Sequence, residues 1–485
     1  MPNNNIKPRK KDYAKLVWDT KPRRSPNPKD IEVQTAEVVT LNPKTVGELP
    51  LSFRNGQLGE NELDKKNTYN PFHKLADISN QLFGHGYKLL PSVTELFELE
   101  LANLEYQVLS TEDLIDRSAF FETVCGTPTA HFKLCSKPQR ALMQDRTAQT
   151  RNYFENGQFS TGYATHGLFP YRGKFHPQLI KGLLNIIGVK KEDIVLDPMC
   201  GSGTTNIEAA LMGIDSYAVD RSPFCRVMTK TKFEAMTISP KLLSGLSRKA
   251  PELFAFFNVN DFAKQLNKVK DLDKLKVYNL ALLAFLDALG YSKRVTASTH
   301  KDLFEKVLRR YEMTVSEFIE NPDFSPVSLG KVIILENSDA LRLELSNESV
   351  DGIITSPPYS FAIDYVKNDE PQLIYLGCDT EMLRANMIGL VGKNKKERLN
   401  NYFHAMGIVC SECARVLKTG KFLVIILGSN TNQTGGIRLE NEVIESCAKV
   451  GLNLVKSILK PIKGLRNTMK DEYILFFQKS AHRIL

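Results

Sequence analysis

Several absences narrow this 485-residue sequence before any motif is read. No apolar run is long enough to cross a bilayer. The amino terminus, "MPNNNIKPRKKDYAKLVWDTKPRR", lacks the apolar core of a secretory signal, so a cytoplasmic location is expected. Cysteine is sparse: eight are scattered, and only Cys410 and Cys413 lie close together. A structural zinc site of the Cys-x-x-Cys kind needs a second such pair, so no metal centre is expected and the thiols are read as reduced. No Gly-Lys-Ser or Gly-Lys-Thr occurs, which argues against a phosphate-cradling NTPase loop. There is no internal repeat, and Trp18 is the single tryptophan.

What is present is a soluble-type composition, 42% hydrophobic and 25% charged, with a formal net charge of +9. The positive excess permits a polyanionic partner without requiring one. It is concentrated in "KPRKKDYAKLVWDTKPRR" near the start. Residues 1–70 read as a basic, partly disordered arm. Residues 71–150 read as a helical amino-terminal region, because "LADISNQLFGHGYKLL" and "SVTELFELELANLEYQVL" carry apolar residues at three- and four-residue steps.

Residues 151–485 have a different texture, in which short apolar strands alternate with helices. "DIVLD", "DSYAVD", "KVIILENSDAL", "DGIITS" and "KFLVIIL" are strands, "KTG" is a turn, and "YFHAMGIVCSECARVL" and "ENEVIESCAKVG" are helices. "LNLVKSILKPI" and "DEYILFFQK" have no helix between them and predict an antiparallel hairpin at one edge. The expected fold is therefore α/β and doubly wound, with a mostly parallel sheet and right-handed crossovers. Residues 222–330 interrupt the alternation with a helical insertion that contains the basic stretch "GYSKRVTASTHK". A long insertion at the ligand edge of such a sheet usually contacts substrate, so it is a candidate for target recognition; the amino-terminal third is a second candidate.

Two stretches carry chemistry. In "VLDPMCGSGTTNIEAALMG", residues 195–213, Gly201 and Gly203 let the backbone approach a ligand ahead of a helix with free N–H groups. Asp220 ends the second strand, where a carboxylate holds ribose hydroxyls, and Asp339 follows the third, placed to accept from an adenine amine. Asp197, Asp220 and Asp339 at three successive strand ends describe a cup for an adenosine with a polar tail. The second stretch is "DGIITSPPY", in which a buried strand runs straight into Ser356, Pro357, Pro358 and Tyr359. Two prolines fix two φ angles and remove two donors, which suits a plain rigid turn and equally a set of backbone acceptors held still.

"DPMCGSGTT" resembles motif I of the S-adenosylmethionine-dependent amino-methyltransferases of DNA, with Met199 where Phe is usual. "TSPPY" is similar to their motif IV in the variant of cytosine-N4 enzymes. "THGLFPYRGKFHPQLIKGLL", residues 165–184, is similar to their segment that closes over the methionine part of the cofactor. The resemblance covers about residues 160–480 in pieces and leaves the amino-terminal third aside.

It implies a Rossmann-like methyltransferase sheet and S-adenosyl-L-methionine held by Phe175, His176 and Pro177, by Asp197, Pro198, Met199, Cys200, Gly201, Ser202, Gly203 and Thr204, and by Asp220 and Asp339. It implies double-stranded DNA as a partner, a cognate restriction endonuclease acting on the same site, and an order of motifs like the alpha arrangement.

In that setting the prolines and the ring of Tyr359 gain a joint purpose. The lone pair of an exocyclic base amine is delocalised into the ring, and fixed acceptors beside its N–H bonds align it for methyl transfer. The base must leave the duplex, and stacking on Tyr359 would contribute on the order of 1–3 kcal/mol. No Pro-Cys dipeptide occurs, which disfavours cytosine-C5 methylation through a cysteine nucleophile. Ser356 in place of Asn or Asp favours cytosine N4 over adenine N6. The remaining alternatives are an RNA base amino-methyltransferase, a protein glutamine methyltransferase (which usually has Asn before Pro-Pro-Tyr) and a binding subunit without turnover. Asp364 and Tyr365 are read either as pocket residues or as a helix cap and a packing ring; His166 and His176 stay open.

Overall fold

The computed structural model describes residues 81–136, 162–259, 267–292, 298–321, 328–358, 364–428, 434, 436–462 and 471–481. The basic arm, most of the polar stretch after Ser136, and Tyr359 lie outside the described residues.

Seven strands form the central sheet: β4 (Ile194–Asp197), β5 (Asp215–Ala218), β6 (Val332–Ile334), β7 (Val350–Thr355), β8 (Leu417–Gly428), β9 (Leu452–Pro461) and β10 (Asp471–Lys479). Their order is β6-β5-β4-β7-β8-β10-β9. β4 pairs in parallel with β5 and β7, β5 with β6, and β7 with β8, whereas β10 runs antiparallel to both β8 and β9. The expected doubly wound sheet and edge hairpin are both present. The order reverses between β4 and β7, so the crevice outside the carboxyl ends of these two strands is the natural ligand site. β7 is buried along its whole length, as expected for a central strand covered on both faces.

The "KTG" turn is corrected. Leu417 pairs with Val350 and Phe422 with Gly352, so the intervening residues form a bulge inside β8. Gly420 takes φ 80°, and Lys418 pairs with Asp351 at 2.8 Å across the bulge.

The amino-terminal region is mixed rather than helical throughout. Gly84 and Gly86 adopt φ 88° and 91° and end the first helical stretch. β1 (Lys88–Leu89) then joins β2 (Phe121–Val124) and β3 (Thr127–Pro128) in a small antiparallel sheet. α1 (Leu96–Val108), α2 (Thr111–Arg117) and α3 (Ala130–Ser136) surround it. This unit docks on α4 (Pro177–Ile186) through a shared apolar cluster that joins Leu101 and Phe120 to Ile180 and Leu183, and through polar contacts. Buried Glu105 accepts from the Ala119 amide at 2.8 Å and from Asn185 of α4, and Arg117 donates to Asn185 and to the Val189 carbonyl, each at 2.6 Å.

Between β4 and β6 lie α5 (Thr204–Leu211), α6 (Pro223–Ala235), α7 (Pro240–Leu243), α8 (Ala250–Phe257), α9 (Leu272–Ser292) and α10 (His300–Ile319). α6 begins with a Ser222 cap and Pro223 at its first position, both strong start signals. α9 buries every residue from Leu280 to Ala288, so it is covered on all sides. α10 is amphipathic and buries Phe304, Val307, Leu308, Tyr311 and Val315 against it. The same apolar cluster takes in Phe169, Phe224, Leu373 and Met387, so the inserted helices share one core with the segments flanking the crevice. After β7 come α11 (Tyr365–Asn368), α12 (Glu370–Tyr375), α13 (Thr380–Ala385) and α14 (Lys395–Val416), and α15 (Leu439–Lys449) links β8 to β9.

Candidate active site

A cleft opens at the reversal point between β4 and β7. Its floor is the turn after β4. The Cys200 amide donates to the Val219 carbonyl at 2.9 Å and the Gly203 amide to the Cys200 carbonyl at 2.7 Å, which curls the turn tightly. Gly203 has φ 77° and caps α5, and a Cβ there would meet Thr229 of α6 at 2.6 Å. A side chain at that position would push apart the turn and α6.

Asp220 organises this turn. Its two carboxylate oxygens accept the Gly201 amide at 2.9 Å and the Ser222 amide at 2.8 Å. Burial raises its pKa, opposed by these two amides and by Arg226. Each oxygen retains a second lone pair, so the carboxylate can also accept from ribose hydroxyls.

Asp197 takes another place. It is fully buried behind the turn, accepts the Met199 amide at 3.1 Å and does not line the cleft. Burial pushes it up to about 7, against the pull of Thr205, the Met199 amide and Thr355.

Asp339 lines the cleft, but both oxygens have partners. Arg221 bridges Oδ2 at 2.8 Å, and the Leu341 amide donates to Oδ1 at 2.9 Å. Arg221 also donates to the Asn386 carbonyl. That contact ties the cup to an apolar wall of Leu383, Met387 and Ile388. Sequence reading had no signal for this wall, because its residues lie far along the chain from the turn.

Of the other expected contacts, Phe175, Pro198, Met199, Cys200, Gly201, Ser202 and Thr204 line the cleft. His176 and Pro177 do not: His176 is exposed and precedes α4, and Pro177 is its first residue. Gly203 supports the turn from behind. Ser356 and Pro358 face the cleft across from the glycine turn, while Pro357 is buried in its wall.

The open alternatives divide. Asp364 caps α11 through the Lys367 amide at 3.1 Å and pairs with Arg384. Tyr365 lines the cleft and stacks on Tyr171, with ring centroids 6.0 Å apart. His166 is buried under the turn, with Nε2 2.7 Å from Glu208 of α5, and burial lowers its pKa to about 4. A neutral His166 therefore donates to Glu208, and Tyr163 donates to the same carboxylate oxygen. Lys232, also buried, donates to the Ser202 carbonyl at 3.2 Å. These groups brace the turn from beneath.

The residues present fit S-adenosylmethionine. A glycine turn leads into a helix whose first amides have no side-chain cap, a buried carboxylate sits beside it, and apolar side chains form the far wall. Among the described residues no group of His, Cys, Asp or Glu could hold a metal ion, and no helix is long and apolar enough to cross a membrane.

The comparisons with known proteins agree with this geometry. Residues 168–256 match the family model described as UPF0020, RMKL-like, methyltransferase domain. The chain is 23% identical over 355 residues to the type II methyltransferase M.BsoBI of Geobacillus stearothermophilus, covering 58% of this chain and 70% of that one. It is 29% identical over 160 residues to the type II methyltransferase M.MjaII of Methanocaldococcus jannaschii, covering 32% of this chain and 30% of that one. Over 81 residues it is 44% identical to a tRNA (guanine(10)-N2)-dimethyltransferase of Methanothermobacter thermautotrophicus, covering 16% of this chain and 24% of that one. In its sheet order, its glycine turn braced by Asp220 and these matches, the chain is similar to S-adenosylmethionine-dependent methyltransferases, type II methyltransferases among them.

Proposed function

We propose that the protein methylates the exocyclic N4 amine of a cytosine extruded from double-stranded DNA, and that it acts beside a restriction endonuclease of the same specificity. The observation that carries this reading is the position of Ser356 and Pro358, in one cleft with the Gly201 turn and Asp220, at the end of a strand buried throughout. S-adenosylmethionine, when bound, supplies a methyl carbon made electrophilic by its sulfonium.

The chain supplies position and electrostatics. Pro357 and Pro358 hold the backbone carbonyls of residues 356 and 357 rigid, so these acceptors need no reorganisation as charge develops on the amine. The Ser356 hydroxyl accepts a hydrogen bond from the amine. Tyr171, whose ring lies beside Gly201, and Tyr365, stacked on it, line the cleft and keep water from the reacting atoms. In the same proposal Phe175, Met199 and Gly201 contact the cofactor, and Tyr359 stacks on the base.

Serine rather than Asn or Asp at position 356 favours cytosine over adenine. The similarity to the tRNA enzyme keeps an RNA amine as a second reading. Incubation with isotopically labelled S-adenosylmethionine and either duplex DNA or RNA, followed by nucleoside mass spectrometry, tests both. Label in N4-methylcytosine is expected. Label in N6-methyladenine, or in a methylated RNA guanine, would replace this assignment.

A further inference from the structure

A second cavity adjoins the first. The two share Tyr171, Tyr365 and Asp369 in their linings, and the near-parallel Tyr171 and Tyr365 rings, 15° apart in tilt, stand between them. Neither Ser356 nor Pro358 lines the second cavity. Its other walls come from the segment of Phe169 to Arg172, from α9 of the insertion through Asp287, Gly290 and Tyr291, and from Asn368 and Gln372 after β7.

The lining is not that of a packing defect. Three tyrosines offer flat faces, and amides, two carboxylates and the Arg172 guanidinium offer edges. Gln372 is only 3% exposed, its Nε2 donates to the Leu286 carbonyl at 3.1 Å, and its Oε1 has no partner among the described residues. The Leu286 bond fixes the amide so that the unsatisfied atom is the acceptor. A buried acceptor left unmade is costly in proteins, so its persistence points to a ligand donor. Gly290 allows this arrangement, since a Cβ there would lie 2.4 Å from Gln372 Nε2.

Aromatic faces with an amide acceptor at the edge are the chemistry that binds a nucleobase presenting an N–H. We infer that this cavity receives a base of the substrate other than the one being methylated, and that Gln372 and Tyr291 read it. The inference rests on the nucleic-acid reading of the first cleft. It assigns the inserted α9 a direct part in sequence recognition, through side chains that flank the entrance to the methyl-transfer site.

The test uses the full chain in two parts. Wild-type enzyme is first incubated with unmethylated genomic DNA, and the methylated positions are mapped by sequencing to give its recognition sequence. Tyr291→Ala and Gln372→Leu are then mapped in the same way, with Tyr291→Phe as the conservative variant. Loss of tenfold or more in discrimination at one position of the sequence, restored by Tyr291→Phe, with cofactor affinity unchanged by calorimetry, is expected. An unchanged recognition sequence, or a uniform loss of rate on all sequences, overturns the inference. The second part does not depend on turnover: single-stranded DNA carrying 5-iodouracil is irradiated with the protein, and cross-links are mapped by mass spectrometry. Cross-links on Tyr291 are expected. Their absence from Tyr291 and Tyr171 overturns the subsite even if DNA is methylated, whereas their presence without any methyl transfer to DNA retains the subsite and removes the proposed function.

Discussion

The Tyr311 hydroxyl accepts the Phe169 amide at 2.8 Å and donates to Asp287 at 3.0 Å. Tyr311 is 142 positions from Phe169 in the chain, in the inserted helix α10, whereas Phe169 begins the segment that reaches the cleft at Tyr171 and Phe175. All three residues are buried. The insertion therefore holds in place the segment that flanks the methyl-transfer cleft, and Arg310 completes the set by pairing with Asp287 at 2.8 Å.

Tyr311→Phe removes both bonds of the hydroxyl; the Phe169 amide loses its acceptor, while Asp287 keeps its bond from Arg310. The expected cost is roughly 1–3 kcal/mol of folding stability. Urea unfolding measures it. The cofactor KM should rise in the same variant at temperatures where it stays folded, because the 169–175 segment loses its anchor. A variant with unaltered stability would mean that the Phe169 amide finds another acceptor.

Asp220→Ala should weaken cofactor binding by roughly 1–3 kcal/mol, the scale of a lost charged hydrogen bond. Asp220→Asn should fall between, since its single amide oxygen can accept only part of what two carboxylate oxygens accept from Gly201 and Ser222. Isothermal calorimetry gives both values. Equal affinity in all three proteins would remove Asp220 from the cofactor site.

Ser356→Ala separates chemistry from binding. The side chain leaves β7 at the cleft, and alanine keeps the backbone course. Single-turnover methyl transfer should fall by more than cofactor affinity does, because fixed acceptors matter most as charge develops on the amine. A fall in affinity alone would place Ser356 in cofactor binding.

Asp197 gives a pH dependence with a definite sign. Burial raises it from 3.8 to about 7, so the folded chain holds this proton more tightly than the unfolded chain does. Its stabilising contribution is complete below pH 3.8 and is lost as pH rises through about 7. His166 acts the other way: lowered from 6.5 to about 4, it costs stability as pH falls across that interval. The comparison is therefore between wild type and Asp197→Asn at each pH. The difference in unfolding free energy should shift in favour of the variant as pH rises from 4 to 7. A constant difference would show that Asp197 ionises normally in the fold.

Much of the frame was legible in residue order. Apolar strands of four to six residues, each followed by a helical period, specify a parallel doubly wound sheet, because only right-handed crossovers return the chain to the same sheet. Gly201, Gly203, Asp220 and the Ser356-Pro357-Pro358 turn announced themselves because local backbone geometry dictates those residue types: positive φ for the glycines and fixed φ for the prolines.

Tertiary packing decided what the carboxylates and tyrosines do. Asp197 and Asp220 look alike as strand-end acids, yet one is sealed behind the turn and the other reaches into the cleft. That difference follows from which neighbour covers each, and residue type does not encode it. Arg221 on Asp339, Tyr311 on Phe169 and Tyr171 on Tyr365 join residues more than a hundred positions apart, where no periodicity links the partners. The sequence by itself determined the sheet, the glycine turn and the stiff exit from β7, because these are set by interactions within a few residues. The wall at Leu383 and Met387, the anchoring of the cleft by the insertion and the second cavity were decided only when burial of apolar surface brought distant segments together.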